Sequence, residues 1–324
     1  MLNLFLSGRG LSVFILPLLL LLYAIKSFIN PVFIVDSPTY LYAQIDMFLF
    51  DYPILKLLLG IVVNSLLAIY INKVFNLNGF YQIENSIPAL LLVIMLGSWT
   101  GFHFFSPLLL SMLFILIGLN RILKVYHQKN ILSEVFDSGF FLGLAAIIYY
   151  PAALFIISYW LFLSMNRSFS FREYFFPLLG LGLPFFFLSV YYFYYELPYD
   201  FLHIEAASAI DSLINMQSLT QRIFIVISGI AFILGLPLFI KQISRSKVKT
   251  KNSKRLILFL LINSFLIYWI SFTYFPIHNR EILLFIPFVF IVPFYFYSVA
   301  ALYRNLLFYF WIVASLLFNF LPTI

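Results

Sequence analysis

Five ionisable side chains in this chain stand beside long apolar runs, where charge is costly and therefore a pointer to function. In VDSPTYLYAQIDMF, Ser37 or Asp36 can cap a helix that has Pro38 in its first turn, with Asp36 at its start. There it stays ionised against the positive end of the helix dipole. Arg280 lies in FPIHNREILLFIPFVF beside His278 and Glu281, in a very short turn between two apolar runs. A guanidinium in such a place can hold a phosphate through two parallel N–H bonds. His103, in GFHFFSP, and Lys56, near the start of an apolar run, complete the set, and Lys56 can face an anionic ligand. Each has a structural alternative: a capping aspartate in a solvated loop, Arg280 paired with Glu281 or snorkelling to headgroups, a hydrogen-bonded histidine among aromatics, and a snorkelling lysine.

Other chemistries are excluded. There is no cysteine, hence no disulfide, thiolate metal site or cysteine nucleophile. The four histidines, at 103, 127, 203 and 278, are too far apart for a zinc motif. No glycine-rich phosphate loop, nucleophile elbow or HExxH sequence occurs, so no metal site is expected from motifs.

The elements that must position these residues follow from composition. Of 324 residues, 64% are apolar and only 10% charged, against about 25% charged in a soluble domain. That is too little polar surface to coat a water-soluble globule. The expectation is an all-α, polytopic integral membrane protein, a single transmembrane domain over 1–324. Runs of about 20 apolar residues cover a hydrocarbon core of about 30 Å. They fall at 10–28, 54–75, 86–102, 107–125, 138–150 with 151–165, 174–195, 221–240, 256–275, 282–301 and 306–322. The first run follows Arg9 without a small-residue cleavage site and reads as a retained span. Asn64, Asn120 and Asn263, inside spans, are expected to bond between helices.

Charge sets the threading. Arg121, Lys124 and Lys129 precede the 138–165 segment, and Arg167 and Arg172 follow it. Both flanks thus belong on the cytoplasmic side, and Pro151 interrupts the segment. We expect a tight helical hairpin turning near Tyr149–Pro151, about eleven membrane segments in all, and a cytoplasmic N-terminus. Fifteen of the 19 Lys and Arg then lie inside: Arg9, Lys73, Arg121, Lys124, Lys129, Arg167, Arg172, Arg304 and the seven between Lys241 and Arg255. Outer loops are placed near 29–53 and 196–220, and the inner basic loop near 241–255. That loop suits anionic lipid, and nucleic acid is excluded as a partner because there is no soluble basic domain to carry it. The helix that begins at Asp36 should lie on the outer surface, with Leu41, Ile45 and Phe48 sharing one face. A short amphipathic helix or plain loop is expected at 130–137, its residues Ile131, Leu132, Val135 and Phe136 toward lipid.

With these elements in order, the chain resembles the GT-C superfamily of polytopic membrane glycosyltransferases. Four segments carry the resemblance: VDSPTYLYAQIDMF after the first span, SGFFLGLAAIIYYPAALFIISYWLF, SFREYFFPLLGLGLPFFFLSVYYF, and HNREILLFIPFVFIV. It implies sugar transfer from a polyprenyl-phosphate donor at the outer face of a bacterial inner membrane. Asp36 would be the catalytic base, and Arg280 with His278 would hold the donor phosphate. His103 and Lys56 are further candidates for substrate binding, and Asp200, His203, Glu205 and Asp211 would shape the acceptor side. A divalent ion bridged by Asp36 and the phosphate is conceivable, although one carboxylate makes a poor site alone. The pattern departs from the family at Ser37, where many members have a second acid, and at Glu281, where an aromatic follows the arginine. The chain is also similar to small bacterial inner-membrane proteins of no assigned activity. A non-catalytic scaffold or subunit of an envelope complex, bound to partner proteins or lipids, is therefore the second expectation. A lipid or solute transporter is the third.

Overall fold

The computed structural model describes residues 5–6, 11–29, 45–49, 51–127, 131–196, 219–274 and 281–320. Asp36, His278 and Arg280, and Asp200, His203, Glu205 and Asp211, lie outside the described residues. Among the described residues there are helices and turns but no strand. The helices are α1 (Leu11–Ile29), α2 (Pro53–Leu77), α3 (Ile87–Gly97), α4 (Pro107–Lys124), α5 (Leu132–Ile148), α6 (Ile156–Asn166) and α7 (Phe171–Tyr194). They continue with α8 (Leu219–Arg245), α9 (Val248–Tyr274), α10 (Ile282–Ile291), α11 (Pro293–Ser298) and α12 (Ala301–Phe320). A 3-10 segment, Tyr150–Phe155, precedes α6.

Five of the described helices are long and apolar enough to cross a membrane: α2, α4 and α7 whole, α8 from Val226 and α9 as far as Ser271. Proline punctuates several starts. Pro53 and Pro107 occupy first helical positions, where a missing N–H costs nothing, and Ser106 accepts from the Leu109 amide at 3.4 Å as a cap.

α3 and α10 form the centre. All eleven residues of α3 are buried, as are nine of the ten in α10. A helix apolar all round needs such a surround. α7 is at the periphery, with Phe186, Phe187, Phe193 and Tyr194 exposed. The three asparagines do bond between helices or to the turn beyond. Asn64 donates to the Phe102 carbonyl at 2.8 Å, Asn120 to the Tyr70 hydroxyl at 3.2 Å, and Asn263 to the Leu154 carbonyl and Ser158 hydroxyl at 2.8 and 3.0 Å.

The 138–165 segment reverses direction, but not as a tight pair. Gly139 lies against Pro177, Gly143 against Leu181 and Pro184, and Gly180 against Phe136 and Phe140. α5 and α7 therefore run parallel, and residues 149–170 must carry the chain back. α6 does so against α9: Asn263 meets Leu154 and Ser158, while Asn252 meets Asn166. α5 packs chiefly on α4 and α7, and α6 chiefly on α9. The limbs separate because the glycine face of α5 is taken by α7, and because Tyr149 is extended and aims the chain away. Six 3-10 residues at about 2.0 Å and eleven α residues at about 1.5 Å give the return limb a reach of about 28 Å.

The same contacts alternate the direction of successive elements. One end gathers residues 79–85, 121–127, 131–137, 166–174 and 246–254, and we call it the basic end. The opposite, distal end gathers Ser27, Asp46, Lys56, His103, Tyr149 and Ser271. The expected surface helix at 130–137 is instead the first turns of α5. Ile131 and Val135 are buried, and Glu134 and Asp137 reach Arg121 at 3.3 and 3.5 Å. The acids favour this because they bind a cation at the end of α4 instead of facing headgroups.

Candidate functional site

α3 stops at Gly97, about 16 Å from its start, whereas the expected span continued to residue 102. The chain then forms a 3-10 turn, Thr100–His103, and an extended stretch before α4. This irregular backbone sits against one face of α2, that of Lys56, Gly60 and Asn64, which are spaced four residues apart. The Phe105 amide donates to the Lys56 carbonyl at 3.0 Å, and Asn64 donates to the Phe102 carbonyl. Gly60 permits the approach: a Cβ there would lie 2.0 Å from the His103 carbonyl oxygen. Gly60 is seven residues into α2, so the turn lies about 10 Å below the helix start. Non-helical backbone at that depth is tolerated only inside protein or along a polar cavity.

His103 is 1% exposed and has both ring nitrogens engaged. Nε2 faces the Gly97 carbonyl at 3.2 Å, which can only accept, so Nε2 carries the proton. Nδ1 is then the acceptor for the Ser27 hydroxyl at 2.8 Å. This geometry serves the structural alternative; contact with a phosphate would require breaking one of the two bonds.

Lys56 does not snorkel. It is 8% exposed, and its Nζ is 2.5 Å from Asp46 Oδ1, itself on a residue 3% exposed. Residues 45–49 are helical, but the buried positions are Asp46 and Leu49, while Met47 and Phe48 face outward. The expected apolar face is thus rotated, because the Lys56 charge in the first turn of α2 requires a counter-ion. Asp46 was visible in the sequence only as one acid among several; its place three residues before Leu49 was the available signal.

Two buried acceptors at this end, Asp46 Oδ2 and Asn64 Oδ1, have no hydrogen-bond partner among the described residues. Among the described residues no three His, Asp or Glu side chains come together as a metal site. A divalent ion is not served by the described donors, since the buried Asp46 carboxylate is already neutralised by Lys56.

Segments flanking both expected catalytic stretches lie at this turn or beside it. Ser27, before Asp36, bonds to His103, and Asp46, after it, bonds to Lys56. Phe285, five residues beyond Arg280, packs edge-on against Phe102 with ring centroids 5.5 Å apart. No protein-family model matches this chain, and no curated protein or solved structure does.

Proposed function

We propose that this is a multi-pass membrane protein of eleven segments whose basic end faces the cytoplasm, and that it transfers a sugar from a polyprenyl-phosphate donor at the distal, outer face. The observation that carries the proposal is that Ser27, before Asp36, and Phe285, after Arg280, both contact the sunken 98–105 turn, with Asp46 bonded to Lys56 beside it. The alternating helix directions and the parallel α5 and α7 support the threading. Two unpartnered acceptors beside that turn suit a ligand rich in hydroxyl donors. In this mechanism Arg280, with His278, holds the leaving phosphate through charge-assisted bonds, and Asp36 takes the proton of the acceptor hydroxyl. Lys56, neutralised by Asp46, positions the floor of the site and does not bind the donor.

The test is transfer to envelope glycans with Asp36→Asn and Arg280→Ala. Each should reduce transfer by about 10²-fold or more with folded protein at normal abundance. Unchanged glycans in both variants would sink the proposal. The chain has no cysteine, so single cysteines introduced at Lys251 and at His203 report sidedness without background. They should label from opposite faces.

The second proposal, a scaffold or subunit of an envelope complex, is favoured by one observation, the exposed aromatic face of α7. Co-purification of a stoichiometric partner, together with full function of Asp36→Asn, would decide for it.

A further inference from the structure

At the basic end a pocket of about 210 Å³ is lined by Leu6, Tyr81, Ile83, Asn85, Tyr297 and Arg304. The Tyr81 and Tyr297 rings are stacked with centroids 3.8 Å apart. The Tyr297 hydroxyl donates to Asn85 Oδ1, and Asn85 Nδ2 donates to the Ile83 carbonyl at 2.9 Å. Asn85 is thereby occupied on both sides. What the lining leaves for a ligand is the Tyr81 hydroxyl and the Arg304 guanidinium, which has five donors and no acceptor. Arg304 Nε is buried with no hydrogen-bond partner among the described residues. None of the described lining residues is acidic. Glu84, beside the pocket in sequence, is exposed.

The surroundings add positive charge. Lys254 is 2% exposed and lies 5.1 Å from the centroid of Phe294, and that ring also packs against Tyr81 and Tyr297. From Ser212 to Arg280 the sequence has no acidic residue. A site that presents donors and cation without a counter-ion calls for an anion. The apolar wall residues Leu6 and Ile83, and the exposed Leu302, Tyr303 and Leu306 around Arg304, set it at a lipid-facing edge.

We propose that this pocket binds a phosphate-bearing anion, with Arg304 gripping the phosphate and Tyr81 donating a further hydrogen bond. The supply that best fits the apolar rim is the headgroup of an anionic phospholipid; free phosphate shares the chemistry. The site is separate from the distal one and does not depend on its function.

The experiment uses the full-length protein, delipidated in detergent, with native mass spectrometry and thermal shift as readouts. Phosphatidic acid and inorganic phosphate are the two probes. One bound phosphatidic acid with a raised unfolding midpoint is the expected result. Protection by millimolar phosphate without lipid retention would support the site and assign it to a soluble ligand. Arg304→Gln should weaken the lipid at least about tenfold, and Tyr81→Phe, which keeps the ring stack, by about tenfold. Absence of binding by both probes would overturn the proposal. So would lipid held equally by wild type and Tyr81→Phe together with Arg304→Gln, as expected of an annular lipid.

Discussion

Asp46→Leu lowers stability by about 3–5 kcal/mol, Lys56→Met lowers it by less, and the double variant Asp46→Leu with Lys56→Met regains most of the loss. The reason is the burial of both partners, 3% and 8% exposed, at a separation of 2.5 Å. Removing either one strands a charge away from water, whereas removing both leaves an apolar contact. The stranded lysine is the worse case, because it stands in the first turn of α2, at the positive end of the helix dipole. Unfolding midpoints of the four proteins in one detergent form a double-mutant cycle, and the coupling should be several kcal/mol. If the two single effects simply add, the pair is not the linchpin of the distal end. Because the pair ties residues 45–49 to α2, the proposed transferase function predicts that the single variants also lose donor transfer and that the double variant recovers part of it.

This pair also marks where the sequence stopped being informative. The starts of α2 and α4 fall within a residue of the apolar runs, and Pro53, Ser106 and Pro107 fix them there through their immediate neighbours. The chain reversal in 138–165 was legible from charge, since Arg121 and Arg167 had to share a side. The partner choices were not. Lys56 and Asp46 are ten residues apart and joined by no periodic pattern, so their contact depends on how 45–49 turns against α2. The early end of α3 was hidden for a related reason. Trp99, Phe102, Phe104 and Phe105 are as apolar as a helix interior, and only the bonds to Lys56 and Asn64 reveal an irregular turn. For the candidate site, the sequence offered His103 as a histidine among aromatics, and its saturation by Ser27 and Gly97 required three elements to be assembled.

Gly139→Leu and Gly180→Leu should each prevent α5 and α7 from closing, with a loss beyond the 1–3 kcal/mol usual for an overpacked core. A Cβ at Gly139 would stand 2.1 Å from the Pro177 carbonyl oxygen, and one at Gly180 would stand 2.3 Å from the Phe136 carbonyl oxygen. These are backbone atoms, so no side-chain rotation relieves the clash; a helix must move. Small residues that bring backbones together are the main attraction between helices in lipid, where burial from water adds little. Gly182, on the same helix, is the control, because nothing lies within 4 Å of its Cβ position and Gly182→Leu should be tolerated. The geometry is checked directly by cysteine pairs. Phe140→Cys with Leu181→Cys should crosslink in the parent protein and lose the crosslink in Gly139→Leu. A parent that crosslinks Phe140 to the far end of α7 instead would mean antiparallel helices. Residues 149–170 would then no longer have to return across the bundle, and the charge bias of the threading would lose its structural support.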